Sequence, residues 1–186
     1  MFDPRADCFF EDPRSNRSRP NDYGVLRLLR RDILFCLSAI GPQSQRALWP
    51  GAMAIFAGID LAAKFYKGDD AFGQVGSRFT EFVRQYFQSI STEGAETLYQ
   101  LRNALLHSFG LYSRTKKKVY RFTLTACDVE PLIQPIPPEA YQVDLIVLHT
   151  CFERALCRYG ADLDKQDQLQ KNFLRMFDNY GAIHIG

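Results

Sequence analysis

Three side chains in one short run, Arg102-Asn103-Ala104-Leu105-Leu106-His107, are the best equipped for chemistry in this chain: Arg102, Asn103 and His107. An imidazole gives and takes protons near neutrality, and a guanidinium grips anions through a planar fork of N–H groups. An amide can hold either group in place. On a helix turning about 100° per residue, Asn103 and His107 are four apart and stack one turn above the other. Glu96 and Tyr99 fall on the same face, while Leu98, Leu101, Leu105 and Phe109 fall on the opposite one and are expected to form its core side. Arg102 lies at the edge between the faces. His107 is therefore expected to point away from the core, towards solvent or a partner. Both Arg102 and His107 lie off the apolar face, so replacing either is expected to leave the fold intact. Helices also carry Arg, Asn and His on solvated faces with no chemistry attached.

Other residues are candidates for support. Asp60 sits inside an apolar segment and could reach and orient Arg102; otherwise it is an edge carboxylate or a partner for Lys64. Glu96 could hold the imidazole or Arg102, or be an exposed helix glutamate. Arg114, Lys116, Lys117, Lys118 and Arg121 put five positive charges just after the motif segment. They could hold an RNA backbone, with Tyr112 or Tyr120 stacking on bases. A lysine-rich hairpin tip also guards a sheet edge against unwanted pairing. His149 falls in an apolar stripe and reads as a core or interface residue. The glycines near Gly73 and Gly76 match no phosphate-binding loop.

The elements that must position these residues are mostly helical. Residues 1–20, rich in Arg, Asp, Ser and Pro, read as a flexible N-terminal arm with Phe9-Phe10 as a possible anchor. Residues 21–180 read as the folded domain and 181–186 as a tail. The first helix is expected from Asn21 or Asp22 to Gly41-Pro42, the second from Pro50 to Gly68 and the third from Gly73 to Ile90. The fourth, which carries the motif, begins at Ser91-Thr92-Glu93 and ends at Gly110. The alternating stretch from about 111 to 125 predicts a β-hairpin with a lysine tip. A proline-rich connector follows over Pro131–Pro138, then helices from about Glu139 to Tyr159 and from Asp164 to Tyr180. The expectation is an all-α, up-and-down bundle of five or six helices with one small inserted hairpin.

Composition narrows the class. A chain of 186 residues with 46% apolar residues can bury a real core. A net charge of +2 neither demands nor forbids nucleic acid, because binding depends on a local patch. Five cysteines, none in a C-x-x-C pair, argue against both a disulfide framework and a cysteine zinc site, and suggest a reducing cytosol. The N-terminus lacks an apolar signal region, and no apolar run approaches the roughly 18 residues of a membrane span. A cytoplasmic protein without metal or cofactor is the expectation.

The pattern R-N-x-x-x-H late in a helical bundle resembles the signature of HEPN ribonucleases, with Arg102, Asn103 and His107 matching it residue by residue. The resemblance covers roughly residues 21–160 by architecture and six residues by motif. It implies a metal-independent endoribonuclease acting as a homodimer, with two motif helices meeting across a composite cleft. His107 would move protons at the ribose 2′-hydroxyl or the leaving oxygen, Arg102 would clamp the scissile phosphate, and Asn103 would orient His107 or bind the phosphate. The products would be a 2′,3′-cyclic phosphate and a 5′-hydroxyl. The resemblance also suggests a toxin–antitoxin or phage-defence setting, with RNA as substrate and an antitoxin or regulatory protein as partner. Related toxins often carry a modifiable tyrosine two residues after the histidine; Phe109 stands there, which puts that mode of regulation in doubt. The alternative is a non-catalytic HEPN module that binds a nucleotide, RNA or a protein.

Overall fold

A computed structural model of the chain describes residues 3–15, 22–38 and 47–184. Along these residues the order is α1 (Pro4–Phe10), β1 (Asp22–Gly24), α2 (Val25–Leu37), α3 (Leu48–Lys67), α4 (Val75–Tyr86), α5 (Thr92–Ser108), β2 (Tyr112–Arg114), β3 (Val119–Thr125), β4 (Ile133–Ile136), β5 (Ala140–Asp144), α6 (Leu145–Leu163), α7 (Asp167–Tyr180) and β6 (Ala182–His184). Helix α3 is central because it is apolar on nearly all sides: Ala52, Ile55, Phe56, Ile59, Ala62, Ala63 and Phe65 are all buried. By length and composition it could cross a membrane, but here it is packed by α2, α4, α5, α6 and α7. A Cβ on Gly58 would come within 2.6 Å of Phe152 Cζ, so α3 and α6 approach closely because that position has no side chain.

The expectation of an all-α bundle is overturned. Among the described residues seven helices stand beside two sheets, one of two strands and one of four, which makes this a mixed α/β fold. The hairpin over 111–125 is present as antiparallel β2 and β3, with Tyr112 opposite Arg121. It belongs to a larger sheet of order β2-β3-β5-β4, in which β3 and β5 run parallel with Phe122 opposite Tyr141. Tyr120, Phe122 and Val143 are buried on one face, while Arg121 and Thr123 are exposed on the other.

Two elements of that sheet differ from the expectation drawn from the sequence. The proline-rich stretch expected as a connector contains β4, and Pro135 is tolerated there because β4 is an edge strand. The helix expected from Glu139 begins six residues later, at Leu145, because residues 140–144 join the sheet. Asp144 makes the break. Its Oδ1 accepts from the backbone N–H groups of Ile146 (3.0 Å) and Val147 (3.1 Å), capping α6. Its Oδ2 accepts from Cys127 N–H (2.8 Å) and Thr125 Oγ1 (3.1 Å), pinning the end of β3 to the start of α6.

The chain ends also differ from expectation. Residues 4–10 are a docked helix rather than part of a flexible arm: Asp3 caps α1 through Arg5 N–H at 2.9 Å, and Phe9 is fully buried with its ring 4.3 Å from that of Phe65. Residues 182–184 are strand β6, paired with β1, rather than tail. Strand β1 occupies the expected start of the first helix, which begins at Val25; Asn21 and Gly41-Pro42 lie outside the described residues.

Burial pushes the Asp144 carboxyl up, but its four hydrogen bonds outweigh burial and hold it below the ordinary 3.8. A lowered carboxyl contributes stability above the ordinary value and loses it as pH falls through the folded one. Asp144→Ala should cost about 1–2 kcal/mol in urea unfolding at neutral pH. The gap from wild type should shrink as the medium is made more acid than pH 3.8; a gap that stays constant would mean that the cap does not depend on charge.

Candidate active site

Helix α5 carries the site. Ser91 starts it by accepting from Gly94 N–H at 2.9 Å, and Leu98, Leu101 and Leu105 bury its inner face. Phe109, expected on that inner face, does not lie there. It is the C-terminal cap in a left-handed conformation (φ 46°, ψ 41°), and it is 71% exposed. The helix ends one residue too early for the 3.6-residue period to reach it.

Arg102 is the hub. It is only 8% exposed, and it reaches across to α3, where Nε (2.7 Å) and Nη2 (2.5 Å) both donate to Asp60 Oδ2. Its third nitrogen, Nη1, donates to Asn103 Oδ1 at 3.1 Å and lies 2.5 Å from His107 Nε2. A guanidinium can only donate, so Nε2 is the accepting nitrogen and the tautomer that fits carries its proton on Nδ1. One guanidinium thus joins four of the candidate residues. His107 itself is exposed and Asn103 is half-buried.

Burial raises the Asp60 carboxyl above the ordinary 3.8, and Arg102 pulls it back without cancelling the effect, with weaker help from Lys64 and Arg78. Asp60 Oδ1 is buried with no hydrogen-bond partner among the described residues. Arg78 was missed by sequence reasoning. It is 4% exposed, donates to Ala71 O at 2.9 Å, and adds positive potential near Asp60. Its place beside Phe79 and Phe82 on an inward stripe was the available signal.

The remaining candidates are not gathered at the trio. Glu96 Oε1 accepts from Gln100 Nε2 (2.7 Å), whose Oε1 accepts from Ser113 Oγ (2.7 Å), so Glu96 is tied towards β2. Tyr99 turns to α4, its ring 5.7 Å from that of Phe79. Lys118 is held by Glu93 (2.8 Å) and stands over the rings of Tyr120 and Tyr141, each at 5.3 Å; its hydrogen bonds to Glu93 and to Tyr141 raise its ammonium above the ordinary range. Tyr120 is buried and has no free face for a base, whereas Tyr112 is 48% exposed with Arg121 5.9 Å from its ring. Arg114, Lys116, Lys117 and Arg121 are exposed. His149 is partly buried, 3.7 Å from Glu153, and burial lowers its pKa below the ordinary 6.5. Among the described residues no three His, Cys, Asp or Glu side chains form a group that could hold a metal ion.

No family model, no characterised protein and no solved structure matches this chain. What it does must be argued from the site itself.

Burial of the pair corrects the expectation that Arg102 can be removed without cost. Arg102→Ala leaves a largely desolvated Asp60 without its partner, and should cost about 3 kcal/mol in urea unfolding. Asp60→Ala should cost a similar amount, and the double variant clearly less than the sum. Additive losses would mean that the two groups do not depend on each other. Phe109→Gly should instead gain about 1 kcal/mol by relieving the left-handed strain; a loss would show that the exposed ring contributes to packing.

Proposed function

We propose that this chain is a metal-independent endoribonuclease that cuts RNA by attack of a ribose 2′-hydroxyl on the adjacent phosphorus. The observation that carries the reading is the Arg102 guanidinium, anchored on Asp60 and turned so that Nη1 meets both Asn103 and His107 Nε2. An anchored guanidinium has little orientational entropy left to lose, and its inner edge marks where a phosphate oxygen would sit. The likeness of the R-N-x-x-x-H segment to HEPN ribonucleases supports the same assignment.

The reaction balances with these groups alone. As RNA binds, the exposed His107 imidazole turns away from Nη1, a non-bridging phosphate oxygen takes its place on Nη1, and the Nε2 lone pair is freed. His107 takes the 2′-hydroxyl proton, O2′ bonds to phosphorus, and the P–O5′ bond breaks. The departing O5′ takes a proton from an imidazolium, leaving a 5′-hydroxyl and a 2′,3′-cyclic phosphate. In a homodimer the second proton comes from His107 of the other copy. Exposure of His107 and Phe109 at the C-terminal end of α5 favours such a meeting. The reading places the protein in a reducing cytosol.

A second reading has one observation behind it. All three Arg102 nitrogens already have partners inside the chain, as in a polar staple between α3 and α5 that serves binding rather than catalysis.

The test uses end-labelled RNA in EDTA. Wild type should cut and leave a cyclic phosphate, His107→Ala should lose about 10²–10⁴-fold in rate, and a 2′-deoxy substitution at the cut site should block cleavage. His107→Ala should unfold like wild type, since the side chain is exposed. Light scattering should give a dimer at tens of micromolar. Intact RNA after prolonged incubation with a folded dimer would establish the staple reading instead.

A further inference from the structure

The basic hairpin tip and the catalytic trio sit at opposite ends of α5. Strand β2 turns back along the helix, with Ser113 bonded to Gln100, and delivers the tip to the helix N-terminus, where Lys118 bonds Glu93. From position 93 to position 107 the axis rises about 21 Å at about 1.5 Å per residue. Glu93, Glu96, Gln100, Asn103 and His107 nevertheless follow one another at steps of three and four, so tip and trio share one stripe of the helix.

At the tip end a groove of about 870 Å³ opens between α4, α5 and the turn after β2. Its walls carry Arg84, Lys116, Lys117 and Lys118 against Glu93 and Glu96, four cations to two carboxylates. Glu93 is neutralised by Lys118. Arg84, Lys116 and Lys117 are exposed, on two opposing walls. A lysine tip serving only as edge protection would not need a facing arginine from another helix.

We propose that this groove is a second RNA-binding site, which grips the backbone of the substrate strand at a distance from the cut. The proposal rests on the ribonuclease reading for its connection to catalysis, but binding in the groove is independent of it. Stacked at about 3.4 Å per nucleotide, a strand needs about six nucleotides to cover 21 Å. The substrate class is therefore single-stranded RNA extending several nucleotides to one side of the scissile bond. A dinucleotide reaches the trio alone.

The experiment compares the full-length protein with Lys116→Ala/Lys117→Ala and with Arg84→Ala, from the opposite wall. Lys118 is left in place because it holds the turn. Binding is read by fluorescence anisotropy with a labelled 12-nucleotide 2′-O-methyl RNA, which cannot be cut. The double variant should bind about tenfold more weakly at 0.2 M salt, with a slope of log K against log salt shallower by about 1.4, the share of two phosphate contacts on a single strand. Arg84→Ala should lose affinity in the same direction. On a cleavable 12-mer the double variant should raise KM and leave kcat, and on a dinucleotide it should change neither. Extending the dinucleotide should lower KM at one end only. Unchanged binding by both variants, or an equal loss on the dinucleotide, overturns the proposal. So does displacement of the RNA by a polyglutamate peptide of equal charge, which would make the groove a site for an acidic protein. RNA bound through the groove but never cut would sink the ribonuclease reading and leave the groove; cleavage indifferent to the tip would do the reverse.

Discussion

The contact between Arg102 and Asp60 is the constraint on which the site depends. Moving a carboxylate and a guanidinium out of water costs several kcal/mol for each ion, and two N–H bonds to one oxygen offset only part of it. Asp60 Oδ1, buried without a partner among the described residues, shows that the pair is not tuned for stability. Two well-packed apolar side chains would join α3 to α5 at least as firmly. They could not set a guanidinium edge at a fixed place beside His107. The pair makes sense as a device for position, and its location on α3 gives it a rigid base. That helix is packed by five neighbouring helices.

Much of the site was legible in the sequence because helical geometry is local. The steps between Arg102, Asn103 and His107 fix their relative directions once α5 forms, and Asp60 stood out as a carboxylate in an apolar segment. What local geometry could not supply was the end of the helix and the company of each side chain. Phe109 lies on the apolar face by periodicity alone, but the helix stops before it. Glu96 has the right face and the wrong partner, because β2 folds back and draws Gln100 and Ser113 into a chain with it. Strands β4, β5 and β6 were hidden for the same kind of reason. Each is short; β5 pairs with β3 and β6 with β1, both distant in sequence, while β4 pairs with the neighbouring β5 and its proline made it resemble a connector.

The sheet that sequence periodicity missed is what makes the hairpin useful. A two-stranded hairpin alone is marginally stable in water. Here β3 pairs in parallel with β5, and its far end is pinned by Asp144, which also caps α6. Tyr120, Phe122 and Tyr141 stack on the inner face, and Lys118 lies over two of those rings. The hairpin is thus clamped at its base by Asp144 and at its tip by Lys118 with Glu93. The lysines at the turn divide accordingly: one is spent on holding the turn, and its neighbours Lys116 and Lys117 remain exposed.

Rigid placement has a consequence at the other end of α5. His107 is exposed and would be free to sample rotamers if nothing bound it, but Arg102 engages Nε2 from a side that is itself immobile. The imidazole is therefore oriented through Arg102 by Asp60, which lies forty-two residues before Arg102 in the chain. A carboxylate that orients an imidazole directly also stabilises its positive charge. One that acts through a guanidinium supplies orientation without that attraction, because the intervening cation offsets it. On the ribonuclease reading, the arrangement suits a histidine that must present a free lone pair, and a phosphate oxygen that replaces the imidazole on Nη1 would release that lone pair. Arrival of the anion and activation of the base would then be one event, and the left-handed Phe109 cap, which ends the helix just past His107, leaves the imidazole open to it.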